Sequence, residues 1–165
     1  MAQVRYACRW RFVSVAIPHV SFTGVVSDIV LLSRSVEGME ETRSLVLASA
    51  PSIRVHIVKA DLGALDSLAD VFSEAVKNSS SEKHRHAILV HNAGSTGDIS
   101  KPISEQLDPK VVQDYMAANF TSTVTLTALF LSHFKSGNRN VVEINSILHK
   151  KFMHSISLYS VSKAA

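Results

Sequence analysis

A chain of 165 residues that is 46% hydrophobic and 19% charged is long enough for one domain with a substantial buried core. Its net charge of +3 comes from basic residues scattered along the chain, which argues against a nucleic-acid-binding surface. No apolar run reaches the length of a membrane span, and a single cysteine, Cys8, excludes an internal disulfide and favours a reducing compartment, the cytoplasm.

The N-terminal segment differs from the rest of the chain. Residues 1–27 carry three arginines and no acidic residue. The apolar stretch 12–17 is too short for a secretory signal and is ended by Pro18, although a targeting segment of another kind stays an alternative. We therefore predict an atypical segment at residues 1–27 and a partial domain at residues 28–165.

Strand and helix patterns alternate from Asp28 onward. Apolar runs predict buried strands at residues 28–34 and 141–145 and a further strand at residues 87–90, and alternating apolar residues predict a strand at residues 53–61. Helical spacing of apolar residues, with capping signals, predicts helices at residues 36–50, 65–76 and 108–134. Asp108 is the expected N-cap of the last of these, with Pro109 at its first position. The alternation predicts an α/β fold with an incomplete, doubly wound parallel sheet.

Ligands of such folds bind at the carboxyl ends of the strands. Several polar or small residues follow the predicted strands at this edge, namely Arg34, Asp61, Asn92, Ala93, Gly94 and Ser146. Each also has an ordinary interpretation: Arg34 as a surface cation, Asp61 as the cap of a turn with Gly63, and the others as turn or strand-end residues. Their shared location is what favours a binding site.

Ser146, Tyr159 and Lys163 form a possible proton-transfer group. Tyr159 and Lys163 are four residues apart, so on a helix they project from one face. A phenol ordinarily titrates near about pH 10, and a neighbouring ammonium favours its ionised form, which brings proton exchange closer to neutral pH. The Ser146 hydroxyl could then hydrogen-bond a substrate carbonyl oxygen beside the phenol. The alternative is that Tyr159 and Lys163 lie on an ordinary solvated helix face.

Together these residues resemble the short-chain dehydrogenase/reductase family, and within it the members that reduce the side-chain ketone of pterins for tetrahydrobiopterin synthesis. The similarity covers about residues 28–165. It is carried by the Ser146, Tyr159 and Lys163 set and by three stretches: residues 60–64 (Ala-Asp-Leu-Gly-Ala), 92–101 (Asn-Ala-Gly-Ser-Thr-Gly-Asp-Ile-Ser-Lys) and 119–122 (Asn-Phe-Thr-Ser).

The resemblance implies a role for each matching residue in NADPH-dependent carbonyl reduction. Tyr159 would protonate the carbonyl oxygen, and Ser146 would orient and polarise it. Lys163 would lower the pKa of the phenol and hold the nicotinamide ribose, while Asn119 would hold a water that supplies protons to Lys163. The resemblance further implies contacts with the cofactor: Arg34 with a 2′-phosphate, Asp61 with the adenine, and Asn92, Ala93 and Gly94 beside the central strand.

Two departures from the family pattern affect these expectations. The glycine-rich phosphate loop should precede the strand that begins at Asp28, but only Thr23 and Gly24 match its start, and the next glycine is Gly38. Its absence predicts weak NADPH binding and absent or marginal reductase activity. The chain also ends one turn into the helix of Tyr159, so we expect a chain truncated at its C-terminus and altered at its N-terminus.

The resemblance leaves two functional readings open. One is a reductase that acts on a pterin-like carbonyl substrate. The other is an inactive fragment that at most associates with full-length subunits. The family forms its subunit interface through the helix at residues 108–134 and the Tyr159 helix, which implies a homo-oligomer. A metal site at His84, His86 and His91 is disfavoured, because no cysteine or carboxylate is spaced to complete it.

Overall fold

The computed structural model of the chain describes residues 26–77, 86–100, 102–105, 108–146 and 157–164. These residues form four strands: β1 (Asp28–Ser33), β2 (Arg54–Lys59), β3 (His86–His91) and β4 (Asn138–Glu143). They also form five α-helices: α1 (Val36–Ser49), α2 (Leu68–Val76), α3 (Pro109–Met116), α4 (Ser122–His133) and α5 (Ser157–Ala164). Short 3₁₀ turns occupy Leu65–Ser67 and Ile103–Glu105, and a π-helical turn occupies Ala117–Thr121. The predicted α/β class is confirmed.

The strands pair in parallel, as predicted, but in two separate sheets. β1 pairs with β2 from Asp28 opposite Arg54 to Ser33 opposite Lys59. β3 pairs with β4 from His86 to His91. Within the described ranges each strand has one strand neighbour, so the sheet is incomplete. Because both pairs are parallel, the two strands of each pair have their carboxyl ends at the same edge.

The first core lies between α1 and the β1–β2 pair. Ser35 caps α1 by accepting a hydrogen bond from the Gly38 amide at 3.1 Å. One turn into the helix, Met39 is fully buried and packs with Leu31 and two further apolar side chains, Ile29 and Ile53. This packing fixes the start of α1 at the carboxyl end of β1.

The second core lies between α2 and α4. The buried residues of α2 (Leu68, Phe72 and Ala75) recur at helical spacing, so they share one face of the helix. Phe72 packs there with three apolar residues from α4 and its end, Leu126, Phe130 and Phe134. Because α2 also packs against β2, and α4 packs against β3, the two helices together link the two strand pairs.

The predicted helix at residues 108–134 is a continuous helical segment, but it is not a regular α-helix. Its N-terminus is as predicted: the Asp108 side chain accepts from the Lys110 amide at 2.9 Å, and Pro109 is the first helical residue. The π turn interrupts it, so Ser122 donates its amide to Ala117 O and its hydroxyl to Ala118 O, the latter at 2.7 Å. π turns are rare and are frequent at functional sites.

The prediction of a buried strand at residues 141–145 is wrong in two respects. β4 begins earlier, at Asn138, and ends at Glu143, and all six of its residues are exposed. The physical reason is that β3 is its principal contact within the described residues, so little covers its faces. None of the described helices is both long and apolar enough to cross a membrane.

Candidate active site

A cleft of about 600 Å³ opens at the carboxyl ends of β1, β2 and β3. Five of the residues expected at a cofactor or catalytic site line it: Arg34, Asp61, Ala93, Gly94 and Asn119. The other four, Asn92, Ser146, Tyr159 and Lys163, are described but do not contribute to its lining. The structure therefore separates the expected residues into a group that lines the cleft and a group that does not.

Lys163 ties helix α5 to the ends of β3 and β4. Its Nζ donates to the carbonyl oxygen of Ile144 at 2.9 Å, and the Ile144 amide in turn donates to His91 O at 2.9 Å. Tyr159 lies one turn earlier on α5, with its ring centroid 6.0 Å from Lys163 Nζ. Ser146 is half-buried two residues beyond Ile144, and its amide donates to Asn145 Oδ1 at 2.7 Å. Ser146, Tyr159 and Lys163 thus belong to one edge of the molecule.

Gly94 connects the two groups of residues. A Cβ atom placed on Gly94 would stand 3.9 Å from Asn119 Oδ1 and 3.9 Å from Lys163 Nζ. Gly94 therefore lies between the amide of Asn119 and the ammonium of Lys163. The structure brings these three predicted residues together, although they come from the β3 loop, the π turn and α5.

The Asn119 side chain is fully engaged with the backbone of Ser95. Its Oδ1 accepts from Ser95 N and its Nδ2 donates to Ser95 O, both at 2.8 Å. Asn119 is buried, so these bonds supply partners for both polar atoms of its amide. The side chain therefore holds the loop after β3 in place, a contact that sequence reasoning did not identify.

Tyr115 is a second residue whose role the sequence did not reveal. The spacing places it on the apolar surface of the predicted helix, but its hydroxyl donates to the same Ser95 carbonyl that Asn119 contacts. Burial raises the pKa of Tyr115 to about 12. The one available signal was its position four residues before Asn119, which places both on one helix face.

His91 is buried at the end of β3 and hydrogen-bonds the Thr127 hydroxyl at 2.8 Å. Burial lowers its pKa below the ordinary value, and Lys163 lowers it further, while Glu143 acts in the opposite direction. A neutral imidazole is therefore favoured next to the Lys163 site.

Arg34 lines the cleft and is exposed immediately after β1. Asp61 Oδ1 accepts from the Gly63 amide at 3.0 Å, so this carboxylate caps the turn after β2 and also lines the cleft. Asp61 therefore caps a turn, as its ordinary interpretation predicts, and also lines the cleft.

The described residues fit a nicotinamide nucleotide. A volume of about 600 Å³ lies within the usual range of ligand pockets. The cleft offers an arginine, a carboxylate and a glycine that lies next to Lys163. The segment where a phosphate loop would be expected, before residue 26, lies outside the described residues, as does His84. No group of three or more histidine, cysteine or acidic side chains among the described residues could hold a metal ion.

Comparisons with known proteins agree with this geometry. The sequence profile of the short chain dehydrogenase family matches residues 26–165. The sepiapterin reductase of Bos taurus is 33% identical over 142 residues, which is 84% of this chain and 53% of the relative. The sepiapterin reductase of Xenopus tropicalis is 32% identical over the same length, 84% of this chain and 54% of that protein. The chain thus spans about half the length of the curated relatives that it matches.

Solved structures resemble the fold over most of the chain. A short chain dehydrogenase from Shigella flexneri has a TM-score of 0.66 at 27% identity and covers 82% of this chain and 52% of its own. A metagenomic short-chain oxidoreductase in complex with NADP has a TM-score of 0.67 at 20% identity, covering 82% and 58%. The profile match and the similarity to sepiapterin reductases together show that the chain belongs to the short-chain dehydrogenase family.

Proposed function

We propose that the chain is a cytoplasmic, NADPH-dependent carbonyl reductase of the sepiapterin-reductase type, with the side-chain ketone of a pterin as substrate. The observation that carries the proposal is the Lys163 contact: it anchors the helix of Tyr159 at the ends of β3 and β4, next to Asn119. Similarity to the sepiapterin reductases supports the substrate class.

In this proposal each residue at the α5 edge has one chemical task. The Tyr159 phenol donates a proton to the carbonyl oxygen as the alcohol forms, and the Ser146 hydroxyl hydrogen-bonds that oxygen and orients it. Lys163 binds a ribose hydroxyl together with Tyr159. Asn119 holds a water on the route by which protons return to Lys163. NADPH, when bound, supplies the hydride.

The cleft residues hold the cofactor in this proposal. Arg34 attracts the 2′-phosphate that distinguishes NADPH from NADH, and Asp61 faces the adenine. The cofactor lies close to the backbone after β3, at Asn92, Ala93 and Gly94. Arg34 is exposed, so its preference for NADPH is modest: an exposed ion pair contributes about 0 to 1 kcal/mol.

The test is an assay of NADPH oxidation by the purified chain in the presence of sepiapterin. The sequence has no glycine-rich turn between Gly24 and Gly38, so weak cofactor binding is expected and NADPH must be raised to saturation. The Arg34→Ala variant should raise the KM for NADPH by at most about fivefold and leave the KM for NADH unchanged. Arg43→Ala is the matched control, because Arg43 pairs with Glu40 on α1 and does not line the cleft.

An inactive chain that associates with complete reductase subunits is the alternative outcome. It is favoured by the missing glycine-rich turn and by the single strand neighbour of β1 and of β3 within the described residues. It predicts no NADPH oxidation at any cofactor concentration.

Both the proposed reductase and the alternative inactive chain are expected to associate with a second polypeptide chain. Val124 and Leu131 lie seven residues apart on one face of α4 and are 54% and 42% exposed, and Val161 on α5 is 55% exposed. Exposed apolar side chains on these helices support association of two copies, or of this chain with a complete reductase subunit, through α4 and α5.

A further inference from the structure

We propose that His91 and Thr127 are positioning residues for Lys163, because a series of three hydrogen bonds connects their side chains to its ammonium group. His91 Nε2 and the Thr127 hydroxyl form the first bond, at 2.8 Å. The His91 carbonyl oxygen accepts the second from the Ile144 amide at 2.9 Å, and the Ile144 carbonyl oxygen accepts the third from Lys163 Nζ at 2.9 Å. The series runs from α4 through the ends of β3 and β4 to α5. For its effect on catalysis the inference rests on the proposed reductase function.

The first bond of the series lies between two elements that pack together. His91 is the last residue of β3 and is 8% exposed. Thr127 lies 36 positions later on α4, next to Leu126, which belongs to the core between α2 and α4. Because α4 also packs against β3, the hydrogen bond ties the end of this strand to a helix that is itself held in place by the second core.

The position of Ile144 depends on the end of β3. The parallel register places His91 opposite Glu143, so Ile144 is the first residue after β4. All of β4 is exposed and β3 is its principal contact within the described residues, so the bond to His91 is what holds the Ile144 peptide. Lys163 then binds the carbonyl oxygen of Ile144.

The loop after β3 limits Lys163 from a second direction. Gly94 follows His91 by three residues, and a Cβ atom placed on it would stand 3.9 Å from both Cε and Nζ of Lys163. The end of β3 and the loop that follows it therefore define together where the ammonium group lies. A shift of His91 would move both the carbonyl oxygen that binds Lys163 and the backbone that packs beside it.

The test compares amide hydrogen exchange in the unaltered chain, Thr127→Val and Thr127→Ser. Valine keeps the branched shape without the hydroxyl, whereas serine keeps the hydroxyl. Loss of the His91 bond in Thr127→Val should speed exchange of the Ile144 amide by about tenfold relative to the amides of β2, and Thr127→Ser should stay within about threefold of the unaltered chain. Thr42→Val is the matched control, because the Thr42 hydroxyl donates to Gly38 O at 2.9 Å within α1. Unchanged Ile144 exchange in Thr127→Val, or an equal rise in the amides of β2, would overturn the proposal.

A second variant keeps the test decisive if Thr127→Val does not fold. His91→Phe breaks the same bond from the side of β3, because phenylalanine keeps a ring but has no ring nitrogen. It should speed exchange of the Ile144 amide in the same way, and unchanged exchange there would overturn the proposal.

The NADPH assay tests the consequence for Lys163. Because Lys163 binds the cofactor ribose in the proposed function, Thr127→Val should raise the KM for NADPH by about threefold and leave the KM for sepiapterin unchanged. Thr127→Ser should restore the KM for NADPH, and an unchanged KM for NADPH in Thr127→Val would overturn the positioning role. An unaltered chain without turnover would contradict the reductase function, while the exchange data would still decide whether Thr127 and His91 hold Ile144.

Discussion

Asn119 binds the backbone of Ser95 through both atoms of its amide, accepting from the Ser95 amide and donating to the Ser95 carbonyl at 2.8 Å each. The two residues are 24 positions apart in the sequence, one in the loop after β3 and the other in the π turn. This pair holds Gly94 in place between Asn119 and Lys163, so the geometry of the candidate site depends on it.

The Asn119→Ala variant should lower the free energy of unfolding by about 2 kcal/mol, because it leaves the Ser95 amide and carbonyl without their amide partners. Urea unfolding followed by circular dichroism measures the change. Ser44→Ala, which removes an exposed hydrogen bond on α1, should change stability by less than about 0.5 kcal/mol. Equal free energies of unfolding for Asn119→Ala and the unaltered chain would show that the Asn119–Ser95 hydrogen bonds do not stabilise the fold.

Because His91 is buried, we expect the free energy of unfolding to fall on mild acidification. Burial, with a contribution from Lys163, lowers the pKa of His91 below 6.5, the ordinary value that the unfolded chain retains. Below 6.5 the unfolded chain therefore binds more protons than the folded chain, and the free energy of unfolding falls as the pH falls. His91→Gln, which does not titrate, should weaken this dependence between neutral pH and about pH 5. Identical pH profiles of the two proteins in urea unfolding would contradict the prediction.

Asp28 predicts a second loss of stability, at lower pH. Burial alone would raise the pKa of Asp28, but hydrogen bonds from Arg54, Ser27 and His56 outweigh it and hold the pKa at about 2, below the ordinary 3.8. The ionised carboxylate therefore stabilises the fold fully above pH 3.8, and this contribution is lost as the pH falls through about 2.

The Asp28→Asn variant tests this contribution. Arg54 binds both carboxylate oxygens at 2.7 Å, and the asparagine cannot accept both bonds. The variant should be less stable than the unaltered chain at neutral pH, and the difference should shrink as the solution is acidified. Thermal unfolding at a series of pH values measures it, and a difference that stays constant with pH would refute the assignment.

Substitutions on α4 should separate the proposed oligomer. Val124→Lys combined with Leu131→Lys places two charges on the exposed apolar face and should shift sedimentation toward the monomer. Leu45→Lys is the matched control, because Leu45 on α1 is 66% exposed and lies on neither α4 nor α5. If the double variant sediments like the unaltered chain, this face is not the interface.

The sequence predicted the parts of the fold that depend on local pattern. The alternation of strands and helices follows from apolar periodicity. The presence of Arg34, Asp61 and Gly94 in one cleft follows from the geometry of parallel strands, whose carboxyl ends lie at one edge. The histidines at both ends of β3 were missed, because backbone pairing with β4 extends the strand whatever the polarity of its side chains.

The contacts between distant residues could not be predicted in this way. The hydrogen bonds of Tyr115 and Asn119 to Ser95 join a loop to a helix, and no spacing within either segment encodes them. The residue types in the π turn are those of an ordinary α-helix, so composition did not predict the turn. The exposure of β4 depends on which elements cover it rather than on its own apolar residues.

The central claim, that Tyr159 delivers the proton in an NADPH-dependent carbonyl reduction, is tested most directly by Tyr159→Phe. At saturating NADPH and with sepiapterin as substrate, the variant should lose turnover by at least about a hundredfold, because the proton donor is gone. NADPH fluorescence titration should give a Kd within about twofold of the unaltered chain, since most cofactor contacts remain. Turnover of Tyr159→Phe close to that of the unaltered chain, or no turnover of the unaltered chain at saturating NADPH, would contradict the claim.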